Sequence, residues 1–333
     1  MNKNLKIANS ILDLIGEIPL VRLNQIGKET GVEILVKPEF LNPSGSIKDR
    51  TAKIMIEEAE RQGLLVEGST IIEATTGNMG TALAFVSAVK GYKMIAFAPT
   101  EVADMIKSSI MASFGCKVEK VDIDAYEAES QAKGRRTSSL DNSIHGGFVE
   151  LLPRQICLDM ERETPNVWWA RQFSNPFNTA AHHDWTAKEI LNQTDGKLDA
   201  FVASTGTGGT LLGVAQALKE HDKKIKIISV EPSSWPVLEA MAEYPIIPGI
   251  SGGILIEILE SGLVDQIVSV NNDEAVDMAH QLAQKEGMFC GMSSGANVVA
   301  AVRIAKQLGP GKRIIVVLPD SRDRYLQHEI YTT

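Results

Sequence analysis

The sequence contains little cysteine and few aromatic residues. Of its 333 residues, three are cysteines and 5% are aromatic. Cys116, Cys157 and Cys290 are far apart and odd in number, and no two of them have metal-like spacing, which argues against a disulfide framework. We expect all three to be core thiols, with a catalytic thiol at Cys290 as the alternative.

Long apolar runs and concentrated basic charge are also missing. No stretch approaches the roughly 20 apolar residues that span a bilayer, and residues 7–15 are too polar for the core of a signal peptide. The net charge of −9 and the scattered basic residues would repel a phosphate backbone. We therefore expect a cytoplasmic protein that acts on small molecules, with no nucleic-acid or membrane partner.

Two nucleotide-binding patterns and a metal-binding pattern are absent as well. The glycine-rich segment Ser204 to Thr210 is not Gly-x-Gly-x-x-Gly, because Leu211 stands where that pattern needs glycine, and no Gly-Lys-Thr/Ser loop occurs. His182 and His183 are neighbours rather than four residues apart on a helix. The sequence therefore predicts a single bound phosphate group rather than a dinucleotide or a nucleoside triphosphate, and no metal.

What the chain does contain is a regular alternation of strand-like and helix-like segments. The length fits about two domains, and the composition, 44% hydrophobic and 23% charged, is that of a folded protein. The alternation predicts an α/β fold with two domains of mostly parallel sheets flanked by helices, and an irregular stretch from Asp122 to Asn166. The predicted strands are Glu33 to Val36, Thr70 to Ala74, Lys93 to Ala98, Lys117 to Val121, Val167 to Phe173, Ala200 to Ala203, Ile225 to Val230 and Arg313 to Leu318.

Four polar or glycine-rich segments follow predicted strands, where open α/β sheets bind ligands. The first, residues 42–50, carries Lys48 in the first turn of a predicted helix. The helix dipole would lower the pKa of this lysine, and a neutral amine can attack an aldehyde; the alternative is a solvated lysine. The second, Thr75 to Gly80, offers donors that can surround a carboxylate, or simply cap a helix.

The other two segments precede helices in the second half of the chain. Glycines in Ser204 to Thr210 would let the backbone wrap a phosphate at the positive end of the following helix. The segment Gly291 to Ala296 contains serines that could cap a helix or contact a heteroaromatic nitrogen.

In order and spacing, the four segments resemble those of fold type II pyridoxal-phosphate enzymes, specifically the cysteine synthase and cystathionine β-synthase group. The resemblance extends from Ile18–Leu23 to Leu318–Leu326. It implies a fold similar to the tryptophan synthase β subunit and a homodimer. It also implies a smaller mobile domain over 48–152, and a larger cofactor-binding domain of 1–47 plus 153–333.

The resemblance further implies roles for individual residues. Lys48 would form the Schiff base with pyridoxal 5′-phosphate and move the α-proton of an amino-acid substrate, and Ser293 would face the pyridine nitrogen. The remaining cofactor contacts would be Asn78, Gly206, Thr207, Gly208, Gly209 and Thr210. The substrate would be bound by Thr75, Thr76, Gly77, Met79, Gln172 and Gly249.

The implied reaction is a β-replacement. O-acetylserine or O-phosphoserine would lose its leaving group to give an aminoacrylate, and sulfide would add to give cysteine. The alternatives are an amine or thiol nucleophile with a diaminopropionate- or cystathionine-type product, a cysteine desulfhydrase or lyase, and a cofactor-free binding relative.

Two segments differ from the pattern usual in cysteine synthases. In the carboxylate loop, Thr76 replaces a serine and keeps the hydroxyl. Met79 replaces a threonine and would put a flexible apolar side chain near the substrate. Residues 249–253, Gly-Ile-Ser-Gly-Gly, replace Gly-Ile-Gly-Ala-Gly near the entry of the second substrate. Both differences leave the nucleophile open, and Arg322 and Arg324 are candidates for binding the phosphate of an O-phosphoserine donor.

Overall fold

A computed structural model of the protein describes residues 7–100, 105–122, 151–233 and 261–326. The predicted α/β fold is confirmed. The strands are β1 (Val21–Arg22), β2 (Glu33–Pro38), β3 (Thr70–Ala74), β4 (Lys93–Pro99), β5 (Lys117–Val121), β6 (Val167–Trp169), β7 (Ala200–Ser204), β8 (Lys226–Pro232), β9 (Gln266–Val270) and β10 (Arg313–Leu318). The helices are α1 (Lys48–Arg61), α2 (Asn78–Lys90), α3 (Met105–Ser113), α4 (Leu151–Glu163), α5 (Pro176–Ala181), α6 (Ala187–Thr194), α7 (Gly209–His221), α8 (Asn272–Glu286) and α9 (Met292–Leu308).

The larger sheet has the strand order β1-β2-β10-β7-β8-β9, and its pairings are parallel except that of β1 with β2. Successive side chains of a strand point to opposite faces. Ile314 and Val316 therefore pack into a core on one face of β10, and Ile315 and Val317 pack into a core on the other. Helices cover both faces, as is usual for parallel sheets.

The smaller sheet has the strand order β5-β4-β3-β6 and is parallel throughout. Its strand β6 comes after residue 152, and Leu12 and Ile15 from near the N-terminus pack into the core on one of its faces. This core therefore includes residues from outside the range 48–152. The division of the chain into a mobile and a fixed domain stays a prediction.

Two local predictions were wrong. The stretch from Asp122 to Asn166, predicted to be irregular, contains α4, which begins just before Pro153. Proline is tolerated in the first turn of a helix, because the N–H groups there have no partner within the helix. The strand predicted over Val167 to Phe173 ends at Trp169, and Arg171 adopts a left-handed conformation with φ 54°. Residues 123–150 of the predicted irregular stretch lie outside the described residues.

The three cysteines are buried and free, which confirms the prediction of core thiols. Burial raises the pKa of Cys116 and of Cys290 to about 12. Because a thiolate is the reactive form, the full burial of Cys290 and its raised pKa argue against the alternative of a catalytic thiol there. Within the described residues, no helix has the length and apolar character that crossing a membrane requires.

Candidate active site

Lys48 is the first residue of α1 and follows a tight loop at the carboxyl edge of the larger sheet. In this loop Gly45 has φ 85°, and the backbone N–H of Ile47 donates to the carbonyl of Pro319, directly after β10, at 2.8 Å. The hydroxyl and backbone N–H of Ser44 both donate to the Asp49 carboxylate. These bonds fix the point at which α1 starts and hence the direction of the lysine side chain.

Lys48 as a whole residue is half-buried, and its Nζ donates to Oγ1 of Thr207 at 3.2 Å. Loss of hydrating water lowers the pKa of Lys48 to about 8, and the negative charge of Glu73 only partly opposes this shift. The sequence predicted a lowered pKa but attributed it to the helix dipole, whereas the main cause is desolvation. A substantial fraction of the amine is neutral, and therefore nucleophilic, near pH 8.

A buried network of charges holds the first turns of α1. Arg50 donates to Glu39 from Nε at 2.8 Å and to Glu189 from Nη1 at 2.7 Å, and Lys37 donates to Glu189 at 2.6 Å. Burial alone would raise the pKa of Glu189, but the hydrogen bonds and charge of Arg50, with help from Lys37, lower it to about 2. The network joins β2, α1 and α6 beneath the lysine, and the sequence analysis missed it.

The predicted phosphate loop connects β7 to α7. Gly208 has φ 86°, and a Cβ added at Gly209 would come within 2.3 Å of Oδ1 of Asn178. Asn178 Nδ2 donates to Oγ1 of Thr207 at 2.8 Å. Glycine is therefore required at both positions, and the loop packs tightly against α5.

The predicted carboxylate loop connects β3 to α2 and is more open. Oγ1 of Thr75 accepts hydrogen bonds from the backbone N–H groups of Gly77 and Gly80, both at 3.3 Å, so this hydroxyl organises the loop itself. Thr76 and Gly77 are half-buried, and a Cβ added at Gly77 would meet no atom within 4 Å. Space for a substrate exists beside Gly77, where backbone N–H groups at the start of α2 are available.

Gln172 connects the two loops. Its Nε2 donates to the carbonyl of Ala74 at 3.3 Å, directly before the carboxylate loop, and its own carbonyl accepts from Asn178 Nδ2 at 2.7 Å. Its backbone N–H donates to the buried Glu73 at 2.9 Å. The structure thus brings this predicted substrate residue to the edge of the carboxylate loop.

Met79 departs from its prediction. Its side chain is 2% exposed and packs in the core of the smaller sheet, in the same cluster as Met55 and Met111. Met79 lies on the side of α2 that faces this apolar core, where an apolar side chain packs well. Its backbone N–H remains the predicted substrate contact. Gly249 falls outside the described residues.

Asn78 is held by residues from the far end of the chain. Its Nδ2 donates to Oδ2 of Asp320 at 2.6 Å, and its Oδ1 accepts from Nη1 of Arg324 at 2.6 Å. Asp320 also accepts from the hydroxyl of Tyr325. Burial raises the pKa of Asp320, and its hydrogen bond from Tyr325 opposes that shift. Apart from Arg322 and Arg324 as candidates for a donor phosphate, the sequence analysis gave the segment 318–326 no role at the site.

The serine segment lies against the same C-terminal turn. The backbone N–H of Gly291 donates to the carbonyl of Asp320 at 3.0 Å, and Ser293, in the first turn of α9, is 4% exposed. Of the two arginines considered for a donor phosphate, Arg324 lies at Asn78. Arg322 instead packs over Phe289, 5.2 Å from its ring centroid. Arg324 therefore contacts a predicted cofactor residue, Asn78.

The donors in this region fit a cofactor that bears an aldehyde, a ring oxygen and a phosphate. Lys48 supplies an amine that loses its proton near pH 8. Thr207, Thr210 and the N–H groups at the start of α7 supply donors for a phosphate. Asn78 Nδ2 carries two hydrogens, and one of them is directed at Asp320. Among the described residues, no group of three or more His, Cys, Asp or Glu side chains is arranged to hold a metal.

Comparisons with known proteins agree with this chemistry. Residues 11–320 match the family described as pyridoxal-phosphate dependent enzyme. A cysteine synthase of Staphylococcus aureus is 36% identical over 98% of this chain and 98% of its own length. A cystathionine β-synthase of Apis mellifera is 38% identical over 96% of this chain, which spans 61% of that longer protein. The crystal structure of a cysteine synthase from Entamoeba histolytica superposes with a TM-score of 0.84 at 34% identity, covering 100% of this chain and 93% of the other.

Proposed function

The chain belongs to the pyridoxal-phosphate dependent enzyme family, its cofactor is pyridoxal 5′-phosphate, and on that premise we propose that it makes cysteine by β-replacement. The substrates are an activated serine, O-acetylserine or O-phosphoserine, and sulfide. The similarity to cysteine synthases over nearly the full length of both chains supports a cysteine synthase-like transferase. A cofactor-free binding protein would have no need of the amine at Lys48.

The observation that carries this proposal is the placement of Lys48, whose amine contacts the phosphate loop. The lysine is half-buried, its pKa is lowered to about 8, and it donates to Thr207 of that loop. A neutral amine can react with an aldehyde, and the same amine can later accept or return a proton at the α-carbon of the substrate. A solvated surface lysine would have neither the desolvation nor the fixed partner.

The phosphate end of the cofactor is assigned to residues 206–210. Here the N–H groups at the start of α7 and the hydroxyls of Thr207 and Thr210 converge at a helix N-terminus, where negative charge is stabilised. At the other end of the site, Asn78 would donate to the ring oxygen and Ser293 would face the ring nitrogen. Once bound, the cofactor withdraws electrons from the α-carbon and stabilises the charge that develops there.

The substrate carboxylate is assigned to the loop from Thr75 to Met79. Thr76, the backbone N–H groups of Gly77 and Met79, and the amide of Gln172 would bind it, and this orients the α-hydrogen toward Lys48. Thr75 contributes by shaping the loop, since its hydroxyl accepts from two backbone N–H groups of that loop. A substrate whose carboxylate is bound by this loop is held in a fixed orientation next to the amine of Lys48. The reacting groups then need not find one another by diffusion.

Closure of the smaller sheet over the larger one would exclude water from the reacting atoms. We assign residues 48–152 to the moving part and residues 1–47 plus 153–333 to the fixed part, except that β6 and the segment around Leu12 pack with the smaller sheet and would move with it. The contact of Asn78 with Asp320 and Arg324 joins the two sheets at the site and would be a contact on which closure acts.

A different nucleophile is the second candidate. The 38% identity to a cystathionine β-synthase over 96% of the chain favours a thiol and a cystathionine-type product. Both candidates share the first half of the reaction and differ only in what adds to the β-carbon. They are separated by product analysis rather than by the presence of the cofactor.

The test is to incubate the purified protein, loaded with cofactor, with each donor and with sulfide or homocysteine, and to quantify the amino acids formed. We expect cysteine from sulfide with at least one donor. Cysteine supplied alone, with sulfide release measured, tests the desulfhydrase alternative, and pyruvate as the main product would indicate a lyase. A loaded protein that forms no cysteine from either donor would contradict the proposal.

For its setting, we propose a cytoplasmic homodimer that acts on free amino acids. The net charge of −9 is consistent with a soluble protein that has no nucleic-acid partner. Sedimentation of the purified protein at several concentrations would measure its oligomeric state.

A further inference from the structure

His182 is a buried histidine that the reaction described above does not use. It lies at the start of a π-helical turn, His182–Thr186, between α5 and α6, and it is 0% exposed. Single π-helical turns are rare and are frequent at functional sites. Because of this wider turn, the backbone N–H of Ala187 donates to the carbonyl of His182.

Three threonine hydroxyls surround the imidazole ring. Nδ1 lies 3.0 Å from Oγ1 of Thr186, and Nε2 lies 3.1 Å from Oγ1 of Thr51 and 3.1 Å from Oγ1 of Thr210. Thr51 is one turn after Lys48 on α1, and Thr210 belongs to the predicted phosphate loop. One side chain therefore connects the helix that carries the lysine to the loop assigned to the phosphate.

The ring is neutral. Burial lowers its pKa well below the usual value for histidine, and the positive charges of Lys48 and Arg50 lower it further. A neutral imidazole has one N–H donor and one acceptor nitrogen. The two possible tautomers therefore give Thr210 opposite roles.

If Nε2 were the acceptor, the hydroxyl hydrogen of Thr210 could be used up in a bond to His182. If Nε2 carries the hydrogen, it donates to Oγ1 of Thr210, and the hydrogen of Thr210 is left for another acceptor. Phosphate oxygens only accept hydrogen bonds. With Nε2 as the acceptor, Thr51 and Thr210 compete to donate to it, whereas with Nε2–H the hydrogen of Thr210 is left for a phosphate in the loop.

We propose that His182 is a positioning residue for the cofactor phosphate. In this arrangement Thr186 donates to Nδ1 of His182, Nε2–H of His182 donates to Oγ1 of Thr210, and the hydroxyl of Thr210 donates to the phosphate. This inference rests on the proposed assignment of residues 206–210 to the phosphate.

The test compares the binding of pyridoxal 5′-phosphate with that of pyridoxal, which lacks the phosphate, to the full chain after removal of its cofactor. His182→Asn keeps a polar atom near Nδ1 and loses the donor at Nε2, whereas His182→Gln can keep a donor near Nε2. We expect His182→Asn to weaken binding of pyridoxal 5′-phosphate by about 10- to 100-fold, the range for a lost hydrogen bond to a charged group. Its affinity for pyridoxal should be unchanged, and His182→Gln should retain most of the phosphate selectivity.

His183→Asn is the matched control. This neighbouring histidine is partly exposed and pairs with Asp184 and Glu220 rather than with the loop, so its substitution should change neither affinity. In a Thr210→Val background, His182→Asn should cause no further loss of phosphate selectivity, because the hydroxyl through which it acts is gone.

Equal weakening of both ligands by His182→Asn, or no weakening at all, would overturn the inference. If that variant does not fold, ¹⁵N chemical shifts of labelled histidine in the unmodified, loaded protein decide: hydrogen on Nε2 supports the proposal and hydrogen on Nδ1 overturns it. If the unmodified protein binds pyridoxal as tightly as pyridoxal 5′-phosphate, the assignment of the phosphate loop itself fails. Loss of selectivity on Gly208→Val without loss on His182→Asn would leave the phosphate loop standing and overturn only the role of His182.

Discussion

The carboxylate loop and the phosphate loop have the same local design and different supports. Each follows a parallel strand, contains threonine and glycine, and opens a helix. The phosphate loop is packed from behind by Asn178, which leaves no room for a Cβ at Gly209. The carboxylate loop has free space at Gly77.

Asn78, which follows Gly77, is held by residues on the opposite side of the site rather than by residues packed behind its own loop. Asn78 is bonded to Asp320 and Arg324, which belong to the larger sheet and its C-terminal turn. A loop packed from behind keeps one shape, whereas a loop held by contacts across a cleft can change when the cleft closes. The difference is suited to a cofactor that stays bound and a substrate that enters and leaves.

The largest expected effect comes from removing the lysine that contacts the phosphate loop. Lys48→Ala should lower the rate of cysteine formation by about 10³-fold or more, because general acid–base and nucleophilic roles are lost together. Initial rates at saturating donor measure this. Lys188→Ala, which removes an exposed lysine paired with Asp184, is the control. A Lys48→Ala enzyme with near-normal turnover would mean that the two loops do not share one reaction site.

The comparison itself is tested by adding the same methyl group to each loop. Gly209→Ala should lower stability by about 1–3 kcal/mol, a usual cost of overpacking, and weaken cofactor binding, because the new Cβ would lie 2.3 Å from Asn178. Gly77→Ala should leave the unfolding midpoint unchanged and raise KM for the donor. Thermal unfolding, cofactor titration and steady-state kinetics measure the three quantities. Similar losses of stability in both variants would contradict the contrast between the loops.

The pH dependence of cofactor loading tests the amine directly. Because the pKa of Lys48 is lowered to about 8, the neutral form increases as pH rises through that value. The rate at which the cofactor-free protein takes up pyridoxal 5′-phosphate should therefore rise about 10-fold per pH unit below pH 8 and level off above it. Growth of the visible absorption band follows the uptake. A rate that does not change between pH 6 and pH 9 would contradict a desolvated amine.

A smaller effect is expected from the contact across the cleft. Asp320→Asn keeps an acceptor but removes the charge that orients the Asn78 amide, so kcat should fall by about 10-fold, the scale of one charge-assisted hydrogen bond. Cofactor affinity should change little, because the phosphate loop is supported elsewhere. Asp323→Asn, at an exposed position in the same turn, is the control. A large loss of cofactor with unchanged kcat would reverse the roles assigned to the two loops.

Local pattern in the sequence was enough to predict most of the fold and the loops of the site. The alternation of strands and helices, the lysine at the start of α1 and the glycines before α7 are features within a few neighbouring residues. The helix α4 was missed because Pro153 and its polar surroundings indicate a loop unless the spacing of its apolar residues is followed. The side chain of Met79 was assigned to the substrate because its place in the core depends on the whole helix.

The supports of the site could not be predicted in the same way. Asn78 and Asp320 are 242 positions apart, and Arg50 and Glu189 are 139 apart. No periodicity within one segment indicates such pairs. Thr186 follows His182 by four residues, and this spacing was visible in the sequence. His182 was considered only as a possible metal ligand, however.

The buried network around Arg50 has a consequence for how the enzyme fails in acid. The lowered pKa of Glu189 means that its contribution to stability is fully present above about pH 4.5 and is lost as pH falls toward about 2. Protonation would then leave Arg50 and Lys37 as buried charges without their shared partner, directly beneath the turn that carries Lys48. The start of α1 should therefore open only together with the surrounding core, with slow hydrogen exchange at its amides. Catalytic competence and global folding would be lost in one cooperative step rather than in sequence.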